Sequence, residues 1–224
     1  DGGRPLGNLM YQGQFSSLDA LVSGYVAGSL PKPVHVLMDA HLELSPDNRA
    51  IVGGLEVAAG DALEHIAPEA ISGRDAALAS IFASDPAPLS AGDAVRRCGT
   101  MPRALQDFVG HTADEIPWKT KMPGFREFDM DDVDGCHVSM FWIKPGRTVP
   151  AHTHDGMELS LIIQGAFSDE RGRFGRGDIS IADPSVDHRP TAENTVPCIG
   201  FAVTDAPLRL TGSLRQRLGD ILSI

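Results

Sequence analysis

The first third of the chain spaces its apolar residues with the period of an α-helix. Between about residues 16 and 84 they recur at steps of three and four, as in Leu18, Leu21, Val22, Tyr25 and Val26. Such steps place apolar side chains on one helix face, which can then pack against a core. Serine and proline at the starts of the segments favour helix N-termini. The pattern predicts four helices, the last ending near residue 83.

Beyond residue 101 the pattern changes to that of β-strands. Alternating runs rich in Val, Ile and Phe predict strands at 136–143, 159–163, 179–182 and 199–203, with Gly, Pro and Asp turns between them. A run rich in proline and alanine at 85–92 predicts a linker. We therefore predict an α+β fold in two domains. A helical domain covers 15–84, a linker 85–100, an all-β barrel 101–212 and a C-terminal helix 213–224.

Charge and composition exclude several classes of partner. The formal net charge is −11 at pH 7, which disfavours direct binding to nucleic acid or to an anionic membrane. No apolar run approaches the roughly 20 residues of a membrane span, and the first residues lack a signal-peptide core, so we expect a cytoplasmic protein that begins at an internal start. Three cysteines lie far apart, which predicts neither a disulfide framework nor a cysteine zinc site.

A group of potential metal ligands lies within the β-rich half. His152 and His154 are two residues apart, and an extended strand directs both side chains to one face. Glu158 follows the next turn, and a separate hairpin would have to supply His188. Three imidazoles and a carboxylate suit one divalent ion. We expect His152, His154, Glu158 and His188 to bind zinc, manganese, iron or nickel, a choice that the ligands alone do not make.

The spacing of these ligands resembles the two motifs of the cupin superfamily, which are small double-stranded β-helix barrels of the jelly-roll type. The first motif reads Gly146-x5-His152-x-His154-x3-Glu158-x6-Gly165 and matches at every fixed position. The second departs at Asp183, Ser185 and Ala192 but keeps His188. The resemblance implies that the β-rich half is a metal-binding cupin barrel.

The helical half resembles a more specific family, the ChrR-type anti-sigma factors. The resemblance lies in the stretch DALVSGYVAGSL at 19–30, in AHLEL at 40–44 and in the approach to the barrel from residues 89 to 105. The family joins a helical sigma-binding domain to a C-terminal cupin, in the order predicted here. It implies a regulator of transcription in a stress response that binds an extracytoplasmic-function sigma factor.

The helical half departs from this family at its zinc site. The resemblance implies a zinc ion held by a histidine near the first helix, by the residue at the position of His41, and by a Cys-x-x-Cys pair just after it. Ser45 and Asn48 occupy the cysteine positions, and Ser16 or Ser17 stands near the place of the first histidine. One imidazole with hydroxyls and an amide cannot form a closed zinc site. We expect a metal-free helical domain with His41 as a packing residue.

Three functions remain open at the level of sequence. The first is an anti-sigma factor whose metal-bearing cupin senses an oxidative or small-molecule signal, with zinc as the leading metal by resemblance. Eight acidic and two basic residues between positions 15 and 70 give its helices a face for a basic sigma factor, around Asp39, Glu43 and Asp47. The others are a metal-dependent cupin dioxygenase or isomerase and a non-catalytic small-molecule-binding cupin. The oligomeric state is left open.

Expectations about the barrel interior bear on the enzyme alternative. We expect apolar inward-facing strand residues, namely Met140, Trp142 and Phe201 or their neighbours Phe141 and Val203. No second carboxylate is then placed for acid-base work, and we expect Asp183 and Asp187 to serve the turns in which they lie. His137 is interpreted as a half-buried strand residue without a role.

Overall fold

The computed structural model describes residues 15–85, 101–213 and Gly219. The predicted linker and C-terminal helix therefore lie almost wholly outside the described residues. Within these ranges five helices come first, α1 Leu18–Val26, α2 Lys32–Leu44, α3 Pro46–Glu64, α4 Arg74–Ala83 and α5 Arg103–Val109. Eleven strands follow, β1 Lys119–Met122, β2 Phe125–Asp129, β3 His137–Ile143, β4 His152–His154, β5 Glu158–Gln164, β6 Ala166–Asp169, β7 Gly172–Gly175, β8 Ile179–Ala182, β9 Thr191–Ala192, β10 Cys198–Thr204 and β11 Leu208–Leu210.

The order of elements confirms the predicted fold class, with helices followed by a β-rich cupin domain. The starts of the helices follow the sequence signals. The Ser17 hydroxyl accepts a hydrogen bond from the Ala20 N–H at 3.2 Å and so caps α1. Pro46 is the first residue of α3, where its missing N–H costs nothing. The periodicity of the sequence did not predict α5, because a helix of seven residues is too short to show a clear period.

The β half consists of antiparallel sheets. Six strands pair in the order β1-β2-β3-β10-β5-β8, three in the order β7-β6-β9, and β11 pairs with β4. The long strands β3, β5 and β10 form the centre of the large sheet and are buried along almost their whole length. Each face covers a different core: one face is apolar throughout, whereas the other is apolar at Ile143 and Ile162 but carries Ser139, Glu158 and Ser160.

One of these cores joins the helices to the barrel. Leu37 and Met38 of α2 belong to the same buried cluster as Met140, Leu161 and Phe201 of the large sheet. The Phe108 ring of α5 meets the Phe201 ring edge to face, with centroids 6.0 Å apart. The helical half thus covers the outer face of the sheet, so the two predicted domains share apolar surface that each would expose alone.

This packing corrects the predicted barrel interior. Met140, Phe201 and Val203 lie in the core shared with the helices, and Trp142 packs at its margin. Phe141 does face the inside of the barrel, together with Ser139 and Ile143. The prediction assumed that the apolar face of a strand is the inner one. Alternation fixes two faces but cannot say which face lies inside when both are covered.

The junction between the halves includes a close backbone approach. Leu44, the last residue of α2, lies against the turn at Gly177, where an added Cβ would come within 3.3 Å of the Leu44 Cβ. Gly177 has a φ of +91°, a conformation that residues with a side chain rarely adopt. Glycine is therefore required at this position both by the turn and by the helix that packs on it.

Two helices contribute little to this core. Of α3 only Val52 is buried, and no residue of α4 is buried. Large apolar side chains on and between them face solvent, Ile51, Leu55, Val57, Leu63, Ile66, Ile71, Ile81 and Phe82. Among the described residues, no helix is both long enough and apolar enough to cross a membrane.

Candidate metal centre

Three histidines converge inside the barrel. His152 and His154 are the ends of β4, and both side chains point to the same side, as their spacing predicts. His188 is brought in by a bridge in which His152 and His188 exchange two backbone hydrogen bonds of 3.0 Å. The Nε2 atom of His188 lies 3.0 Å from Nε2 of His152 and 3.4 Å from Nε2 of His154. All three rings are buried.

The outer ring nitrogens determine what the inner ones can do. Nδ1 of His152 lies 2.8 Å from the Pro150 carbonyl oxygen, and a carbonyl only accepts, so this nitrogen carries the proton. Nδ1 of His188 lies 2.9 Å from Oδ2 of Asp169, to which it can donate in the same way. Both Nε2 atoms then present lone pairs to each other. Two lone pairs at this distance repel unless a cation lies against them.

The outer ring nitrogen of the third histidine is held less firmly than those of the other two. Among the described residues, Nδ1 of His154 has no hydrogen-bond partner, although the side chain is 1% exposed. Leaving a buried polar atom unpaired costs free energy. Burial lowers the pKa of His154 and of His188, which keeps both rings neutral, as metal ligands must be. The three histidines could therefore hold one metal ion, as the sequence predicts in this coarser form.

The fourth predicted ligand borders the group of three. Glu158 is the first residue of β5, and its Oε2 lies 3.6 Å from Nδ1 of His154. Its Oε1 accepts a hydrogen bond of 3.0 Å from the Ser160 hydroxyl. Within the described part of the chain, the potential ligand atoms that lie within 4.8 Å of one another belong to His152, His154 and His188. The role of Glu158 as a ligand stays a prediction.

Sequence reasoning missed the residues that hold His188. Asp169 and Arg171, from the β6–β7 hairpin, both contact its Nδ1. The signal is an Asp-x-Arg pair in a tight hairpin, which resembles ordinary turn chemistry. Asp183 and Asp187 do serve turns or surface contacts. Asp183 accepts from the Ser185 N–H, and Asp187 accepts from the Thr211 hydroxyl at 2.6 Å.

The histidines form part of the wall of a cavity of about 650 Å³. Aromatic and aliphatic side chains line one part of it, among them Phe125, Phe141 and Ile143, and charged side chains line another, among them Lys121, Glu127 and Asp129. His137 lines it too, with its side chain 48% exposed and its Nδ1 3.1 Å from Asp132. The sequence did not predict that His137 would lie at the wall of this cavity. Such a cavity with a metal site in its wall can take a small molecule that carries one donor group.

The buried histidine of the helical half, His41, bonds to protein groups through both ring nitrogens. Nδ1 of His41 lies 2.7 Å from the Gly177 carbonyl oxygen and so donates to it. Nε2 lies 2.8 Å from Nδ2 of Asn48 and accepts from it. Both ring nitrogens are thus satisfied by protein groups, and burial lowers the pKa of the ring. His41 packs α2 against the barrel, which goes beyond the packing between helices that the sequence predicts.

Comparison with known proteins identifies the family. The family model described as "ChrR Cupin-like domain" matches residues 105–206. The chain is 38% identical over 197 residues to the anti-sigma-E factor ChrR of Cereibacter sphaeroides, covering 88% of this chain and 92% of that protein. It is also similar to ChrR in the crystal structure of Rhodobacter sphaeroides SigE in complex with the anti-sigma ChrR. There the TM-score is 0.72 at 36% identity, over 84% of this chain and 97% of that one.

These matches run through both the helices and the barrel, in the same order along the chain. Together with the converging histidines, they show that the chain belongs to the family of ChrR anti-sigma factors.

Proposed function

We propose that this chain is an anti-sigma factor that binds an extracytoplasmic-function sigma factor through its N-terminal helices. The observation that carries the proposal is the set of exposed apolar side chains on α3, α4 and the segment between them. We call this set the α3–α4 surface and define it by Leu55, Val57, Leu63, Ile66, Ile81 and Phe82. Phe82 is 83% exposed. So many large apolar side chains left in water on two consecutive helices are typical of a region that a protein partner covers.

The similarity to ChrR supports a sigma factor as that partner. The related structure is described as a complex of SigE with the anti-sigma ChrR. Sigma factors act on RNA polymerase, so this function implies a cytoplasmic location. Asp61, Glu64 and Asp75 lie on the same two helices as the α3–α4 surface and are exposed. They suit a basic partner and would make its association sensitive to salt.

The acidic face predicted from the sequence needs revision in this proposal. Asp39 accepts hydrogen bonds from the Tyr25 hydroxyl at 2.7 Å and interacts with Nδ1 of His35 at 3.2 Å. Both oxygens of Glu43 accept from backbone N–H groups of α5. These carboxylates serve bonds within the chain, so we assign the main binding role to the α3–α4 surface instead.

We further propose that the cupin barrel holds one divalent ion through His152, His154, Glu158 and His188 and senses a chemical signal in its cavity. Zinc is our choice of metal, because it combines readily with nitrogen and carboxylate ligands and has no redox chemistry of its own. The convergence of the Nε2 atoms of the three histidines supports the site. The cavity beside them supports a small-molecule signal that reaches the ion.

Binding of purified extracytoplasmic-function sigma factors from the source organism tests the proposal. We expect a stable complex with one of them, and Leu63→Asp or Phe82→Asp should weaken it more than about tenfold, because each buries a charge at the centre of the interface. Val196→Asp is the matched control, since Val196 is an exposed apolar residue of the barrel.

The proposal fails if none of these sigma factors binds the wild-type chain. It also fails in its choice of surface if the Val196 variant loses as much affinity as the other two. Metal-dependent turnover of a small substrate, lost in His152→Ala, would instead favour the enzyme alternative.

A further inference from the structure

A charged pair, Asp169 and Arg171, contacts the outer ring nitrogen of His188. The Asp169 side chain is fully buried, and its Oδ2 lies 2.9 Å from Nδ1 of His188 and 2.6 Å from a guanidinium nitrogen of Arg171. Its Oδ1 accepts from the Arg171 backbone N–H at 2.9 Å. A buried carboxylate persists only when it is paired and hydrogen-bonded in this way.

Arg171 is itself fixed from several sides. Its guanidinium donates to the Ile181 carbonyl at 2.6 Å and to the Ser180 hydroxyl at 2.9 Å, both on β8. It also lies over the Phe174 ring, 5.2 Å from the centroid. These contacts tie the β6–β7 hairpin to β8 and hold Asp169 in place. The carboxylate that meets His188 is therefore a rigid group and not a mobile surface side chain.

The contacts of Asp169 are those of a carboxylate anion. Its Oδ2 forms an ion pair with the Arg171 guanidinium at 2.6 Å, and its Oδ1 accepts the Arg171 backbone N–H. A carboxylate anion can only accept a hydrogen bond. Nδ1 of His188 must then carry the proton when it bonds to Asp169, and the lone pair lies on Nε2. That lone pair points at the other two histidines.

We propose that Asp169 is a positioning residue for the metal centre, which fixes His188 in the orientation and tautomer that present Nε2 to the ion, and that Arg171 holds Asp169 for this task. His152 is oriented by a backbone carbonyl, which every sequence supplies. Two side chains orient His188, so its ability to present Nε2 to the ion depends on the residues at positions 169 and 171. The inference rests on the proposed metal centre and needs no sigma factor.

Arg171 has a second contact that bears on the metal-free protein. One guanidinium nitrogen lies 3.0 Å from Nδ1 of His188, close enough to donate to it when that nitrogen is bare. In that tautomer Nε2 of His188 carries the proton and donates to Nε2 of His152, 3.0 Å away. With Nδ1 bare, however, the Asp169 oxygen 2.9 Å away would face a lone pair instead of a proton. The carboxylate therefore disfavours this tautomer and favours the one that presents Nε2 to the ion.

Metal affinity of the full chain tests this role. The probes are zinc, measured by competition with a coloured chelator, and cobalt, whose visible absorption reports the geometry of the ligands. Asp169→Ala should weaken zinc binding about 10–100-fold, as is usual when the partner of a ligating histidine is removed. Asp169→Asn should recover part of the loss, because its amide oxygen still accepts from Nδ1. Asp187→Ala is the control, since Asp187 is next to His188 in sequence but bonds to Thr211.

The outcomes separate this inference from its alternatives. Zinc affinity of Asp169→Ala within about twofold of the Asp187→Ala affinity overturns it, since that is the scatter of surface changes. If Asp169→Ala does not fold, the decision rests on Asp169→Asn, whose cobalt spectrum and affinity must differ from wild type. A wild-type chain that takes up no zinc removes both this inference and the metal centre, whereas failure to bind a sigma factor leaves it standing.

Discussion

The buried ring of His41 shows how a single residue acquires a different role in this chain. Two hydrogen bonds hold it, one to the Gly177 carbonyl and one from the Asn48 amide. Asn48 stands at a position where the resemblance to the family implies a cysteine ligand. A neutral imidazole between a donor and an acceptor needs no metal, and it ties α2 to both α3 and the barrel. Protonation would give Nε2 a proton directed at the Asn48 amide donor.

At this scale we predict a loss of stability in acid that depends on His41. Burial lowers its pKa in the folded state below the ordinary value, so the unfolded chain binds the proton more readily. The stabilisation is present above about pH 6.5, the unfolded pKa, and is lost as pH falls from there toward the lowered folded pKa. We expect His41→Gln to show a smaller decrease in Tm than wild type between about pH 7.5 and pH 5.5.

Thermal unfolding with a chelator present measures this difference, because His154 and His188 are then metal-free in both proteins and contribute equally. Equal decreases in Tm for wild type and His41→Gln would show that another group carries the acid sensitivity.

At the scale of elements, α2 organises the molecule. It packs against α5 and against strands β5 and β10, and it also caps the N-terminus of α5. The carboxylate of Glu43, near its C-terminal end, accepts the Arg103 and Ala104 N–H groups at 2.8 Å each. These are the first two N–H groups of α5, which have no partner within that helix. Glu43, which is 60 residues from Arg103 in the sequence, thus caps the N-terminus of the helix that leads into the barrel.

We predict that Glu43→Ala lowers the free energy of unfolding by about 0.5–2 kcal/mol, the usual cost of losing an N-terminal cap. For a chain of this length that corresponds to a decrease in Tm of a few degrees. Calorimetry measures the change, with Glu64→Ala as the control, because Glu64 is an exposed acid at the end of α3. A decrease no larger than that of the control would show that backbone hydrogen bonds to Glu43 contribute nothing.

For the whole molecule, the shared core joins the two halves. Leu37 and Met38 of the helices and Phe201 of the sheet belong to one buried cluster. Strand β5 lies in the same sheet, and Leu159 and Leu161 on it face the helices while Glu158 and Ser160 line the cavity. The cavity wall and the helix α2 are therefore joined by packed side chains of one strand. Separate domains on a flexible linker would lack this contact.

At this scale we predict one tightly held metal ion per chain, in the barrel, and none in the helical half. Elemental analysis of protein freed of loosely bound metal should find close to one equivalent in wild type and almost none in His154→Ala, because removing one ligand of a small site abolishes tight binding. The chelator should then leave the Tm of His154→Ala unchanged. A full equivalent of zinc in that variant would reveal a second site and contradict the assignment of His41.

The sequence alone determined the features that depend on local spacing. Helical periodicity and capping residues located α1 to α4, because one helix face repeats every three to four residues. The same local rule placed His152 and His154 on one side of a strand. The order of helices and barrel, and the family resemblance, also follow from the printed sequence. What these share is that neighbours in sequence are neighbours in space.

Only the tertiary structure decided which distant groups meet. The pairing of Asp169 with His188, of Glu43 with α5 and of His41 with Gly177 joins residues far apart along the chain. The sequence also could not tell that Met140 and Phe201 face the helices while Phe141 faces the cavity. Alternation along a strand distinguishes two faces, but only the packing of helices on the sheet makes one of them the outside of the barrel.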